Sequence, residues 1–334
     1  MKRPIFSKLK DKKNIVLVVI TIIIFCMLII SIYAMNYYRK KLTGSEIINS
    51  EEDTKVYSMH YALILDNSYN SFGESIFEGA KLKGEELGVY IDNFGDNLLS
   101  TYSVNERLKM AIASKVDGII VQANTDKEVK DLINQAVAEG IPVVTILDDA
   151  PLSDRISFAG VNQYQLGKYY GNQILKIIKN SDRGFINIKV LIGANEKEKG
   201  SEILFSGIKD CLLLDNIKIE PVAIERQSAF SSEETVHNII TDAKSPPDII
   251  VCLNMTDTIS AYQTVVDYNM VGQVEIIGYY NSEKIQSAIN KNIIDSTIVI
   301  NTKQLGQHSV EMLSEYLMSG IISEYVTIDI DIDE

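Results

Sequence analysis

The chain has 334 residues, enough for about two domains of 100–200 residues each, so a substantial core is within its reach. It carries 32 Lys+Arg against 45 Asp+Glu, a formal charge of −13; the first thirteen residues are locally +5 and residues 36–56 cancel, which leaves −18 from Tyr57 onward. A domain that acidic is poorly suited to gripping nucleic acid or lying on an anionic bilayer, because both tasks need clustered Lys and Arg.

From Ile15 to Met35 no residue is charged (IVLVVITIIIFCMLIISIYAM). At about 1.5 Å rise per residue such a helix is about 31 Å long, close to the roughly 30 Å hydrocarbon core of a bilayer. A cleaved signal peptide is the competing reading. Its apolar region should run about 7–15 residues and end in a small-x-small site. Here the run is longer, and Ile32-Tyr33-Ala34 is a mediocre site. Phe25 stands where a lipid anchor on Cys26 would need a small residue. We therefore expect a retained transmembrane helix over 15–35. Lys2, Arg3, Lys8, Lys10, Lys12 and Lys13 before it outnumber Arg39, Lys40 and Lys41 after it. That asymmetry keeps the 1–14 tail cytoplasmic and puts the rest of the chain outside the cell. Residues 36–56 are polar and without helical or strand period; as a flexible tether they span about 25 Å root-mean-square.

Beyond Tyr57, short β-branched or apolar runs alternate with amphipathic helices. The expected strands are Tyr61–Leu65, Val89–Ile91, Gly118–Gln122, Pro142–Leu147, Val190–Gly193, Lys218–Ile224, Ile249–Leu253, Val274–Gly278 and Ile294–Ile300. Continuous runs such as DGIIVQ and PDIIVCLN suit strands buried on both faces of a parallel sheet. Helix starts are marked by capping patterns at Ser103-x-x-Glu106, Thr125-x-x-Glu128 and Ser231-x-x-Glu234. Val129, Leu132, Ile133, Ala136 and Val137 form an apolar stripe that Gly140 and Pro142 terminate. The alternation defines an α/β fold with right-handed crossovers, too many units for one common sheet and so expected as two lobes. Cys26, Cys211 and Cys252 show no metal or redox spacing and read as buried free thiols.

In such sheets ligands bind beyond the carboxyl ends of the strands. The residues there are Asp66, Asn67, Asn70 and Phe72; Gln122 and Asn124; Asp148 and Asp149; Asn195; Asn254 and Thr256; and Tyr279, Tyr280 and Asn281. Amides, carboxylates and aromatics hydrogen-bond hydroxyls and stack on apolar faces, as a sugar or polyol demands. Strand-end Asn and Asp also serve as turn formers and helix caps, so that alternative stands beside the functional one.

At this point the sequence resembles the type I periplasmic solute-binding family, in particular its ribose- and xylose-binding group with the LacI-type sugar-binding core. The resemblance runs from about Tyr57 to Thr327. It rests on YALILDNSYNSFGESIFEGAKLKGEELGV, on VDGIIVQANTDKEVKDLINQAVAEGIPVVTI, on AGVNQYQLGKYYGNQIL and on VEIIGYYNSEKIQSAINKNIIDSTI, taken in that order. It implies two Rossmann-like lobes joined by three strands and closing on a small solute. The first lobe would hold about 57–161 and 301–318, the second about 162–300 and 319–334, behind one N-terminal transmembrane helix. It implies sugar contacts at Asn70, Phe72 and Asn254. Elsewhere the pattern breaks. Leu147 stands where the family often has Asp, with Asp148 and Asp149 following. The second lobe's first-helix arginine is missing from EILFSGIKD. Tyr280 and Ile300 replace an expected Asp and Gln. With no Trp in the chain, ring stacking falls to Phe72, Tyr69 or Tyr280. Each lost charged hydrogen bond removes about 1.5–3 kcal/mol from binding a ribose-like ligand. The ligand-binding set is thus Asp66, Asn70, Phe72, Gln122, Asp148, Asp149, Asn254 and Tyr280.

Nothing points to catalysis, a cofactor or a metal. His60, His237 and His308 lie far apart, no phosphate-binding loop is present, and the adjacent Asp148 and Asp149 are badly placed to face each other as acid and base. The expected role is a membrane-anchored, extracytoplasmic sugar receptor. A retained span with a short tether suits a partner in the same membrane, as in the membrane-anchored xylose-binding-like proteins that partner sensor histidine kinases. Delivery to an ABC permease is the alternative. The losses at Leu147, Tyr280 and Ile300 also leave open an adaptor that binds no ligand, whereas a DNA-binding repressor lacks its helix-turn-helix segment.

Overall fold

Apolar β-branched runs give parallel strands and capped amphipathic runs give the helices between them. In the computed structural model this alternation resolves into two sheets. The described residues are 57–334 except 67–70, 96–101, 124–125, 182, 194–198, 225–230 and 243, together with Met27, Ile29 and Ser31, which are helical. The chain divides into two units, Met1–Lys55 and Val56–Glu334. No helix among the described residues is long and apolar enough to cross a membrane; the expected span, Ile15–Met35, lies outside them apart from those three positions.

The first lobe runs β1 (Met59–Ile64), α1 (Ser71–Leu87), β2 (Val89–Asn93), α2 (Val104–Ala113), β3 (Gly118–Val121), α3 (Lys127–Ala138), β4 (Val143–Ile146) and β5 (Ser157–Gly160). Helix α4 (Gln163–Lys179) leads into the second lobe: β6 (Ile186–Gly193), α5 (Lys199–Cys211), β7 (Ile217–Ile224), α6 (Ser231–Ile240), β8 (Ile249–Cys252), α7 (Met255–Asp267), β9 (Glu275–Tyr279), α8 (Glu283–Ile289) and β10 (Ser296–Ile300). The chain then returns through α9 (Thr302–Ser319) and ends in β11 (Tyr325–Thr327) and β12 (Ile330–Asp333). The sheet orders are β11-β5-β4-β3-β1-β2 and β12-β10-β9-β8-β6-β7. All pairings are parallel except β10 with β12. Strands β3, β4 and β8 are buried at every position, as strands covered on both faces must be. One apolar cluster runs from Leu63 and Ile146 of the first lobe to Ile188 and Val251 of the second, and each lobe adds a second cluster on its other face.

The lobes repeat one construction. The crossover helices begin alike, Asn162-x-x-Gln165-Leu166-Gly167 in α4 and Asn301-x-x-Gln304-Leu305-Gly306 in α9. In each, the asparagine side chain accepts a hydrogen bond from the glutamine amide and caps the helix. Each packs against the first helix of its lobe, α9 on α1 and α4 on α5, where Phe77-x-Gly79 and Phe205-x-Gly207 correspond. The contact is backbone to backbone. A Cβ on Gly306 would lie 2.0 Å from the Ile76 carbonyl oxygen, and one on Gly207 2.3 Å from that of Tyr164.

Three chain crossings join the lobes. The third lies between the other two: the Ile328 amide donates to the Gly160 carbonyl (3.0 Å), and the Asn301 amide donates to that of Asp329 (3.2 Å). The tail therefore differs from the expectation of 319–334 in the second lobe. Strand β11 extends the first lobe's sheet beside β5, and only β12 joins the second. The tail completes a sheet edge, as the resemblance implied, but none of β11, β12 and β5 was read as a strand from its own residues, since Ser-Phe-Ala-Gly, Tyr-Val-Thr and Ile-Asp-Ile-Asp are too short or too polar to register as apolar runs. The cap of α3 is Asp126, whose carboxylate accepts from the Glu128 amide (3.2 Å); the expected Thr125 lies outside the described residues. A carboxylate at a helix N-terminus also gains from the helix dipole. Ser103 and Glu106 form the expected capping box, whereas Ser231 is the first residue of α6 itself.

Replacing Gly306 or Gly207 by Ala should lower stability by about 1–3 kcal/mol in chemical denaturation, as for other overpacked sites. Gly→Ala at an open helical position instead gains about 1 kcal/mol. Gly184, with nothing near its Cβ position, should accept Ala with little change. At the start of β9, burial and then the charge of Asp295 raise the Glu275 carboxyl above its ordinary pKa, against a smaller opposing pull from Arg183. A raised carboxyl binds its proton more tightly folded than unfolded, so its contribution to stability improves as pH falls through the folded pKa. Glu275→Gln should therefore stabilise the protein at neutral pH, with the gain vanishing once pH drops below the ordinary glutamate range.

Candidate ligand-binding cleft

The carboxyl ends of the two sheets bring their loops together, and the first lobe's side is built around Gln122. This residue follows β3, and its backbone amide donates to the Ile64 carbonyl (2.8 Å), which fixes it beside the end of β1. Its side-chain oxygen accepts from the Asp66 amide (3.2 Å), and its nitrogen donates to Asp148 Oδ2 (2.9 Å). One amide thus links the ends of three strands and orients the exposed Asp66 and Asp148. Asp148 owes its position to Leu147, a non-glycine residue in the left-handed region (φ 62°). The Asp148 amide donates back to the Ile146 carbonyl (2.7 Å), closing a three-residue turn of the rare, strained type.

The second lobe contributes aromatics. Tyr279 closes β9 and Tyr280 follows it, again in a left-handed conformation (φ 71°). Phe72, in the first turn of α1, meets both rings, edge-on to Tyr280 at 4.9 Å and tilted to Tyr279 at 6.1 Å. Burial, then the negative charge of Asp148, hold the Tyr279 hydroxyl well above its usual pKa. A carboxylate of one lobe is therefore felt by a phenol of the other. Ser71 Oγ approaches Met255 Sδ at 3.8 Å, a further bridge between the lobes.

Of the expected set, the structure gathers Phe72, Gln122, Asp148 and Tyr280 here, with Asp66 held to Gln122; Asn70 lies outside the described residues. Asp149 points elsewhere. Arg155 grips it with two bonds (2.5 and 2.7 Å), and Thr145 Oγ1 (2.7 Å) and the Ala150 amide (2.8 Å) also donate to it. The Arg155 side chain is only 8% exposed. Its other end reaches the Glu324 carbonyl (3.5 Å), so the pair staples the β4–β5 loop to the approach of β11. Asn254 is the cap of α7. Its oxygen accepts from the Asp257 amide (2.8 Å), and its nitrogen donates to the Asp257 carboxylate, which Ser232 Oγ also meets (2.5 Å). One N–H and one lone pair of Asn254 remain for other partners. The Asn-x-x-Asp spacing was the available signal for this cap. Sequence reasoning passed over Ser71, Met255 and the buried Asp257, because none carries a pattern until the lobes are placed together.

The histidines stay apart. His60 lies beside Asp92 (3.4 Å), His237 against the Tyr268 ring, and His308 bonded to Glu311 (2.7 Å). Among the described residues no group of three His, Cys, Asp or Glu is placed to hold a metal ion.

Two α/β lobes with parallel-sheet cores, joined by three crossings around a polar and aromatic cleft, define the type I periplasmic binding protein architecture. The chain belongs to that family: residues 61–320 match the model of the periplasmic binding protein domain. Members of the family bind solutes and are not enzymes. No curated protein gives a significant match. Among solved structures, GanP, a glucose-galactose binding protein from Geobacillus stearothermophilus, superposes with a TM-score of 0.73 at 23% identity, covering 82% of this chain and 96% of that one. The XylFII–LytSN complex gives 0.70 at 24% identity, with 82% and 97% covered. A sugar-binding protein of a sugar ABC transporter from Bacillus halodurans gives 0.71 at 21%, with 82% and 97% covered. At these identities the likeness is one of fold.

Cutting the Asp149–Arg155 pair should damage the fold and spare the cleft. Asp149→Ala leaves a largely buried guanidinium without its carboxylate, at a cost of about 2–4 kcal/mol. Denaturation of this variant should show that loss, while its affinity for any cleft ligand, measured on the folded fraction, stays within about twofold of the parent.

Proposed function

We propose that the chain is a membrane-anchored, extracytoplasmic sugar-binding protein that signals to a partner in the same membrane, such as a sensor histidine kinase. The observation that carries the binding reading is that the oriented Gln122–Asp148 pair and the Phe72–Tyr279 ring contact lie at the same ends of the two sheets, with burial and then the Asp148 charge raising the pKa of the Tyr279 hydroxyl. Oriented hydrogen-bonding groups together with aromatic faces suit a guest with hydroxyls on its edges and an apolar ring face. The guest would be held by Asp66, Asn70, Gln122 and Asp148 along its edge and by Phe72 on its face, with Asn254 contributing its remaining N–H. The glucose-galactose binding protein among the structural neighbours supports a monosaccharide.

The anchor reading rests on the uncharged run Ile15–Met35 and the basic residues before it. A domain on a tether of about 25 Å searches a small volume and meets a membrane partner at high effective concentration. A neighbour that forms a complex, XylFII–LytSN, supports assembly of this fold with a second protein. Delivery of sugar to an ABC permease is the second reading, favoured by the transporter component among the neighbours.

Calorimetry on the full-length protein in detergent against a panel of pentoses and hexoses tests the binding claim. At least one sugar should give saturable heat, and Asn70→Ala and Phe72→Ala should each weaken it at least several-fold, measured on the folded fraction. No heat from any sugar would favour a protein-only adaptor instead.

A further inference from the structure

The cleft already contains a bond between its own walls. Tyr280 belongs to the second lobe, where its backbone amide is fixed by the Ile298 carbonyl (2.8 Å). Its left-handed backbone sends the side chain out of the sheet, and only 8% of the residue stays exposed although it lies at the cleft. The hydroxyl donates to the main-chain carbonyl of Ser71 at 3.0 Å, and the ring stands edge-on against Phe72 at 4.9 Å. Both partners are in the first turn of α1, in the first lobe. Beside that turn, Thr302 Oγ1 donates to Ser75 Oγ (2.8 Å), tying the start of α9 to α1. These contacts join protein to protein and need no guest.

We infer that Tyr280 is a latch that holds the two lobes together in the absence of ligand. The inference rests on the cleft being the guest site proposed above. The acceptor is a backbone oxygen, so the bond does not depend on which side chain stands at position 71. A non-glycine residue at positive φ carries a conformational cost that its contacts must offset, and here the contacts that cross between lobes add to the Ile298 bond in doing so. A neutral hydrogen bond shifts a two-state population about fivefold and an aromatic edge contact about two- to tenfold. Together they bias the closed form by about ten- to fiftyfold. Tyr280 thus places at the end of β9 a group that holds the opposite lobe.

The test is an interlobe distance measured by electron spin resonance on the full-length chain without sugar. Nitroxide labels go on Leu152→Cys and Leu213→Cys, which are 80% and 86% exposed in the first and second lobes respectively. Cys26 and Cys211 are replaced by Ala, and Cys252 is buried. The parent should give one narrow, short distance. Tyr280→Phe, which keeps the ring, should raise the open-to-closed ratio about fivefold, Phe72→Leu about two- to tenfold, and Tyr280→Ala about ten- to fiftyfold. Circular dichroism confirms that each variant is folded; if Tyr280→Ala is not, Tyr280→Phe and Phe72→Leu still decide the matter. An open parent, or identical distances in the parent and all folded variants, overturns the latch. Unchanged distances with sugar affinity lost in Tyr280→Phe would make Tyr280 a ligand contact, overturning the latch and leaving the binding function intact. The expected distances with no sugar bound by any form would support the latch and defeat the sugar-binding reading.

Discussion

The close approach of backbone to backbone at Gly79–Gly306 and Gly167–Gly207 is the constraint from which the rest of the architecture follows. Each lobe hangs its first helix on a crossover helix through a gap with no room for a Cβ. The crossover helix must then start where the chain leaves the other lobe, and an asparagine cap fixes that start at the crossing. Capped there and locked by glycine a turn and a half further on, α4 and α9 set how each sheet is oriented to the junction. The cleft arises where two equally built lobes present the same ends of their sheets to one another, and a single apolar cluster continues through the junction.

This explains what was legible in advance. Nine strands could be read, most of them because Ile, Val and Leu fill them and a strand buried on both faces has no polar positions to blur the run, and the edge strands β2 and β7 because apolar residues recur along them between polar ones. Strands β5, β11 and β12 escaped because an edge or junction strand gains its stability from neighbours rather than from its own side chains, as Ile-Asp-Ile-Asp on β12 illustrates. The glycine pairs were in plain view as Gln-Leu-Gly twice and Phe-x-Gly twice. Their meaning depends on which helices touch, and helix propensity alone ranks every one of them as a defect.

The residues that follow β4 and β9, where the resemblance to the family implied acidic groups, fall on equivalent places. Leu147 and Tyr280 each follow the fourth strand of their lobe, counting β2-β1-β3-β4 and β7-β6-β8-β9 across the sheets. Both are left-handed. The same backbone twist at the same position turns Asp148 toward the cleft in one lobe and the phenol of Tyr280 across it in the other. Residues such as Leu and Tyr hold this conformation only when their surroundings over-determine it. Here the surroundings are a tight turn onto Ile146 for one, and the Ile298 carbonyl together with the opposite lobe for the other.

The kind of partner distinguishes the two polar neighbours at the end of β4, and position alone cannot. Asp148 and Asp149 are neighbours, yet Arg155, Thr145 and the Ala150 amide saturate one oxygen of Asp149 and Arg155 also takes the other, while Asp148 is exposed and oriented by the amide of Gln122. An amide that bridges two strand ends preorganises a carboxylate without neutralising it, whereas an arginine fork does both. Asn254 falls between, its oxygen and one N–H engaged by Asp257 and the rest available. A residue whose bonds all close within its own lobe gains nothing when the lobes approach. One with bonding capacity turned outward, or with a bond already made to the other lobe, changes its energy with closure, and only such residues can couple a guest to the motion.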